Sequence, residues 1–210
     1  MSILTALNPS PQSPITLPIS PKITINVLPG TDLWRKPPSI NSTNAPAYVE
    51  YRPIKSFKRA QVTVKSDWSR LYDQGGLVFL VNSPGLDEER YESWVKTGIE
   101  LFDGKPNVGT VATPAGGYAD WSLVPLQAGT SATIEVTPEK GGSTLYVHLL
   151  DGERKTLIRE VTWVFQGKHD LLLGVGVYAA RPTKLEGEAT LKGESLAVHF
   201  EGLEIEWNDQ

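Results

Sequence analysis

Gln74-Gly75-Gly76-Leu77-Val78-Phe79-Leu80-Val81, and then Trp94-Val95-Lys96-Thr97-Gly98-Ile99-Glu100-Leu101-Phe102-Asp103-Gly104, are the two runs on which the fold turns. In the first, Gly75, Leu77, Phe79 and Val81 form one row. In the second, Val95, Thr97, Ile99 and Leu101 alternate with Trp94, Lys96, Gly98, Glu100 and Phe102. A repeat of two residues is that of a β-strand, whose successive side chains point to opposite faces. Asp103-Gly104 is a tight-hairpin signal, and Val108 to Ala112 supplies the returning strand.

The same period extends in both directions. Ile23, Ile25 and Val27 alternate with Thr24, Asn26 and Leu28 until Pro29-Gly30 turns the chain. Val49 and Tyr51 begin a strand stopped by Pro53, and Ala60, Val62 and Val64 form another apolar row. Further strands are expected at 119–126, 131–137, 144–150, 156–166, 171–179 and 195–207, with Asp151-Gly152 as a second tight turn. The one helix candidate is Leu86 to Glu92, about two turns at most. About a dozen short strands with almost no helix predict an all-β jelly-roll β-sandwich of two antiparallel sheets. One sheet of such a sandwich is often concave, and a ligand would collect there.

Before the first of these strands, Pro9, Pro11, Pro14, Pro18 and Pro21 interrupt any helix or central strand. Residues 1–22 are therefore expected to be a proline-rich N-terminal arm, and 23–210 a single domain. Ile15, Leu17 and Ile19 alternate, which favours an arm pressed against the surface. Met1 to Leu7 carries neither a basic nor a continuous apolar segment, so no cleaved leader is expected and a cytoplasmic location follows.

Composition narrows the function classes. At 210 residues and 23.0 kDa the chain suits one sizeable core. Lys+Arg 20 against Asp+Glu 24 leaves a net charge of −4, so no basic footprint for nucleic acid is present. Cys 0 excludes disulfides, thiolate metal sites and cysteine nucleophiles. No apolar run approaches the ~18 residues of a membrane-spanning helix. His148, His169 and His199 are scattered, and no metal-binding or cofactor-binding motif occurs, so neither metal nor cofactor is expected.

Several segments together carry a family resemblance. They are Leu71-Tyr72-Asp73-Gln74-Gly75-Gly76-Leu77-Val78, Trp94 to Glu100, Asp103-Gly104 and Asp120-Trp121-Ser122. Leu157-Ile158-Arg159-Glu160 and Gly174-Val175-Gly176-Val177-Tyr178-Ala179-Ala180-Arg181-Pro182 fit the same pattern. Across residues 25–207 the chain resembles the DUF1349 family of concanavalin A-like lectin/glucanase folds, which includes fungal "regulation of enolase protein" members. The resemblance implies a concanavalin A-like jelly roll and little chemistry. Glucanases of that fold carry a Glu-x-Asp-x-(x)-Glu run on one strand. The nearest text here, Glu204-Ile205-Glu206-Trp207-Asn208-Asp209, lacks the central Asp and reads as a terminal strand with a solvated acidic face.

Strand parity points to a different cluster. If the two opening runs pair as antiparallel neighbours, Gln74, Trp94, Lys96 and Glu100 share one face. Tyr72 and Asp73 sit at the entrance, and Trp121, His148 and Arg159 are able to join through their own strands. An aromatic beside an acid, an amide and a cation suits a sugar or another small polar molecule. The ligand-binding candidates are thus Tyr72, Asp73, Gln74, Trp94, Lys96, Glu100, Trp121, His148 and Arg159. Glu100, Asp120 and His148 are the catalytic candidates, with Glu100 facing Asp120 or Glu160 as the carboxylate pair.

Three roles follow from these residues. The first is a lectin-like module that binds a carbohydrate or small polar metabolite. The second is a cofactor-independent small-molecule enzyme (an isomerase, cyclase or hydrolase) using the same cavity. The third is a regulatory domain with a protein partner. Pocket shape separates them: an open groove suits sugar chains, an enclosed pocket an enzyme, and a flat filled face an interaction role.

Overall fold

The computed structural model describes residues 3–10, 13–83, 91–166, 170–186 and 194–208. The strands in chain order are β1 (Ile3–Leu7), β2 (Thr16–Pro18), β3 (Lys22–Val27), β4 (Leu33–Lys36), β5 (Ile40–Thr43), β6 (Ala47–Pro53), β7 (Phe57–Lys65) and β8 (Gln74–Asn82). They continue with β9 (Ser93–Phe102), β10 (Lys105–Thr113), β11 (Asp120–Pro125), β12 (Ser131–Pro138), β13 (Leu145–Asp151), β14 (Arg154–Val161), β15 (Leu172–Ala180) and β16 (Leu196–Trp207). A 3₁₀ turn, Ile54–Ser56, is the one helical element among the described residues.

Two antiparallel sheets face each other. The larger has eight strands in the order β11-β10-β9-β8-β15-β6-β1-β2, and the smaller has six, in the order β14-β13-β12-β7-β16-β3. β4 and β5 form a separate hairpin. This is the jelly-roll sandwich that the alternation predicts. The layer between the sheets takes one parity class from each strand. Leu77, Phe79 and Val81 of β8 join Val95 and Ile99 of β9, and they pack on Val62, Val64, Ile134 and Val147 of the smaller sheet. Full burial of each such side chain contributes about 1.5–3 kcal/mol before entropy is counted.

β8 and β9 are buried on both faces, apart from the terminal Phe102. The second face of the larger sheet carries its own apolar cluster: Val78, Leu80, Trp94 and Tyr178, with Leu33 from β4 and Ala45 just after β5. The hairpin thus covers part of that outer face. Toward the other end of the same face the side chains become small. Gly76 of β8 stands opposite Gly98 of β9. A Cβ on either would lie within 2.0 Å of a backbone oxygen of the other strand, so this close crossing needs glycine on both sides.

The N-terminal stretch differs from an arm laid on the domain. β1 pairs with β6 and β2 pairs with β1, so both are strands of the larger sheet, and Leu4 and Leu7 are buried. Pro18 closes β2 at the sheet edge, where a missing N–H breaks no ladder. β16 is the terminal strand that the sequence suggests, with Glu204 exposed and Glu206 partly so, and it lies inside the smaller sheet between β7 and β3. β14 ends at Val161, earlier than the alternation suggests. The helix candidate falls almost wholly outside the described residues, as do His169 and Asp209, and Tyr91 and Glu92 are not helical. Among the described residues no helix is long and apolar enough to cross a membrane.

Candidate functional site

The outer face of the larger sheet holds a cavity of about 310 Å³ beside the hairpin. Strand register explains its floor. Gln74 stands opposite Glu100, Lys96 opposite Val111, and Val111 opposite Trp121, so β8 to β11 present these five side chains on one face. All five line the cavity. Gly109 on β10 keeps the space beside Glu100 open, since a Cβ there would come within 2.9 Å of Glu100 Oε2. Asp32 and Trp34 enter from the hairpin side, Tyr72 from the turn before β8, and Pro182 from the segment after β15.

Lys96 is the centre of the polar set. It is 2% exposed, and its Nζ donates to Gln74 Oε1 at 2.6 Å and to Asp32 Oδ1 at 3.3 Å. Gln74 Oε1 also accepts from the Tyr178 hydroxyl at 3.2 Å. An ammonium carries three hydrogens. The third meets no oxygen acceptor among the described residues, although the Tyr178 ring centre lies 5.8 Å from Nζ.

Glu100 is the second polar feature. Its Oε2 accepts from Trp121 Nε1 at 3.0 Å, while Oε1 meets no donor among the described residues. Burial pushes its carboxyl above the usual range, and Lys96 and the Trp121 indole only partly oppose this. Burial, with Glu100 and Asp32 nearby, also raises the Tyr178 hydroxyl well above its usual value. Tyr178 therefore stays a neutral donor to Gln74.

The aromatic wall is built by mutual contact. The Tyr72 and Trp121 rings meet edge to face with centroids 6.3 Å apart, and Phe102 packs on Trp121 at 5.2 Å. Tyr72 has a positive φ of 65°, which a tight turn imposes on a bulky residue at a cost. That turn is anchored by its neighbour. Asp73 is fully buried and accepts from Ser69 N, Arg70 N and both Nε and Nη2 of Arg181, at 2.8–3.0 Å.

Of the sequence-derived candidates, Tyr72, Gln74, Lys96, Glu100 and Trp121 converge on the cavity. Asp73 is adjacent but points away, into the Arg181 ion pair. Trp94 shares the face but not the cavity. It is fully buried beside Tyr91, with the Arg35 guanidinium 4.2 Å above its ring, because the hairpin closes over that end. His148 lies on β13 in the smaller sheet, opposite Glu135, and burial lowers its pKa. Arg159 of β14 and Asp120 of β11 bind each other and tie the two sheets together at one side. Glu160 lies on β14 opposite Tyr146, in the smaller sheet. His199 bonds Thr24 on that sheet. His148, Arg159, Glu160 and His199 stand apart because parity orders side chains within one sheet but says nothing about which sheet a strand joins, whereas Asp120 shares β11 with Trp121 but has the opposite parity.

Asp32, Trp34, Val111 and Pro182 are the cavity residues that sequence reasoning missed. For Asp32 and Trp34 the available signal is slight: Leu33-Trp34-Arg35-Lys36 before Pro37-Pro38 shows no alternation, and the hairpin strand it forms is too short to stand out. Among the described residues no group of three His, Asp or Glu side chains could hold a metal ion.

Comparison with known proteins follows the same outline. An uncharacterised protein of Emericella nidulans is 43% identical over 189 residues, covering 90% of this chain and 88% of its own. "Regulation of enolase protein 1" of Saccharomyces cerevisiae is 29% identical over 122 residues, 57% of this chain and 56% of that one. A solved structure of a functionally unknown Saccharomyces cerevisiae protein superposes with a TM-score of 0.71 at 23% identity, covering 99% and 97% of the two chains. A xylan β-1,4-xylosidase from Bacillus halodurans shares the fold at a TM-score of 0.58 and 13% identity, over 90% of this chain but 33% of its own. The model for "Protein of unknown function (DUF1349)" matches residues 12–207, and the chain belongs to that family.

Proposed function

We propose that the protein binds one small hydroxylated ring, a monosaccharide or a metabolite of that size, in the cavity between β8–β11 and the β4–β5 hairpin. The observation that carries this reading is the open valence of two buried ionisable groups over free space. Lys96 retains one hydrogen and Glu100 one oxygen, and both line the same cavity. Proteins as a rule satisfy their buried polar groups internally, and these two differ in that their open valences face a pocket, where a guest is able to complete them.

The walls support the ring shape. Trp34, Trp121 and Tyr72 offer flat apolar surfaces, and a sugar ring presents C–H faces to match them. A volume of about 310 Å³ is at the small end of ligand pockets, which suits one ring better than a chain. The carbohydrate-active neighbours support the fold alone.

Isothermal titration calorimetry against a panel of hexoses, pentoses and sugar acids tests the reading. One member is expected to bind the wild type, and Trp34→Ala is expected to weaken it by about tenfold, near 1.4 kcal/mol. Silence across the panel, or unchanged affinity in Trp34→Ala, overturns it.

A further inference from the structure

We infer that the pocket is an enzyme site in which Glu100 and Asp32 act as an acid–base pair, interconverting the two anomers of a free aldose. This rests on the binding reading above and names the substrate class of that same site.

The two carboxylates reach one cavity from different elements, and each keeps one oxygen for a ligand. Glu100 Oε2 is tied to the Trp121 indole, leaving Oε1. Asp32 Oδ1 is tied to Lys96 Nζ and, at 2.7 Å, to the Leu33 N–H, leaving Oδ2. Their surroundings differ in the way a donor and an acceptor require. Burial pushes the Glu100 carboxyl above its usual range, in the direction an acid needs, with Lys96 and the Trp121 indole opposing it only in part. Asp32 is the ion partner of Lys96. Its backbone is fixed as well, with its carbonyl accepting from the N–H groups of Asn44 and Ala45.

The chemistry balances within these groups. Asp32 Oδ2 takes the proton of the anomeric hydroxyl. The electron pair of that O–H bond becomes the second bond of a carbonyl, and the bond from the anomeric carbon to the ring oxygen breaks. The ring oxygen takes the proton of Glu100. Rotation about the bond next to the carbonyl turns its other face, and the same steps in reverse close the ring. Both carboxyls end as they began. The third hydrogen of Lys96 is placed to stabilise the anomeric oxygen as charge develops on it. Glycoside hydrolysis needs room for a second sugar as leaving group, and a cavity of about 310 Å³ favours a single ring.

Polarimetry of freshly dissolved α-anomers, run on the full chain beside ligand-observed NMR for binding, tests the inference. The wild type is expected to speed the approach to equilibrium of at least one aldose that it binds. Glu100→Gln and Asp32→Asn are each expected to lower that enhancement by about a hundredfold while the NMR contact with sugar persists. Trp121→Phe supplies a readout that a structural role would not move. The indole bond favours the charged carboxylate, so its loss shifts the high-pH limb of the rate profile upward. Lys96 on the same strand, Asp32 before β4, Tyr178 on β15 and Tyr72 before β8 are the other titratable groups lining the cavity or acting on Glu100. Sugar binding without acceleration, or full acceleration by Glu100→Gln, overturns the catalytic inference and leaves binding intact. No sugar contact in the NMR arm overturns both.

Discussion

Asp73 and Gln74 are neighbours in sequence, yet they serve two different buried charge clusters. Asp73 belongs to a closed one: its two oxygens take four hydrogen bonds, and Arg181 spends its remaining nitrogen on the Glu194 carbonyl. Gln74 belongs to an open one, where Lys96 and Glu100 each keep an unused bond beside empty volume. Burial alone therefore does not mark function. What separates the two is whether the protein itself exhausts the hydrogen-bonding capacity of the charge.

The largest effect is expected on the closed side. Arg181→Leu leaves the Asp73 carboxylate fully buried with only its two backbone donors. Breaking such a pair costs about 3–5 kcal/mol. Urea denaturation measures it, and a loss below about 1 kcal/mol would abolish the distinction between the clusters. On the open side, Lys96→Met is expected to cost little stability. Gln74 Oε1 keeps its bond from Tyr178, and Asp32 is partly exposed. Its cost falls on ligand affinity, by about 10–100-fold in calorimetry, or ~1.4–2.7 kcal/mol. A stability loss as large as that of Arg181→Leu would make the open cluster another structural anchor.

Glu100→Gln sharpens the comparison through pH. The folded protein raises the Glu100 pKa above its unfolded value, so between the two values the native state holds a proton that the unfolded chain has released. Stability contributed by this residue is therefore present below the unfolded value near 4.5 and is lost as pH rises through the folded value. The Gln variant has no such loss. Thermal melts are expected to coincide near pH 4 and to favour Glu100→Gln at pH 8, by about 2–4 °C for each kcal/mol. A wild type that melts higher at pH 8 would show that Lys96 outweighs burial at this carboxyl.

These contrasts also show where sequence reading succeeds. The parity of β8 and β9 places Gln74, Lys96 and Glu100 on one face because sequential strands that pair as antiparallel neighbours share their two faces. Trp121 follows from the same rule one hairpin further on. Parity does not tell which face is covered. Trp94 obeys the alternation and lies under Arg35 and Tyr91, because the β4–β5 hairpin packs over that end. Asp32 and Trp34 come from this hairpin, about 60 residues before Lys96, and such long-range closure leaves no local period to read. His148 and Arg159 were legible as strand residues, but the order of strands in the smaller sheet was not.

The smallest expected effect belongs to a third charged group, on the smaller sheet. Arg59 donates to Glu135 at 2.6 Å, to Glu204 at 2.7 Å and to Glu206 at 3.1 Å, while Lys155 and Lys58 bind Glu135 and Glu206 in turn. Counted by ion pairs it is the densest electrostatic feature among the described residues, and these neighbours hold the Glu135 and Glu206 carboxyls below their usual range. Its members nevertheless face solvent to different degrees, and the Glu204 side chain is 59% exposed. In water the ion pair is screened and the freed carboxylate is readily solvated. Glu204→Gln is therefore expected to change stability by no more than about 0.5 kcal/mol, less in 0.5 M salt than in dilute buffer, with sugar affinity untouched. Arg59 would still have two acidic partners and a glutamine beside it. A loss approaching that of Arg181→Leu would mean that exposure does not discount this network, and that bond count, not burial with open valence, ranks the charges of this protein.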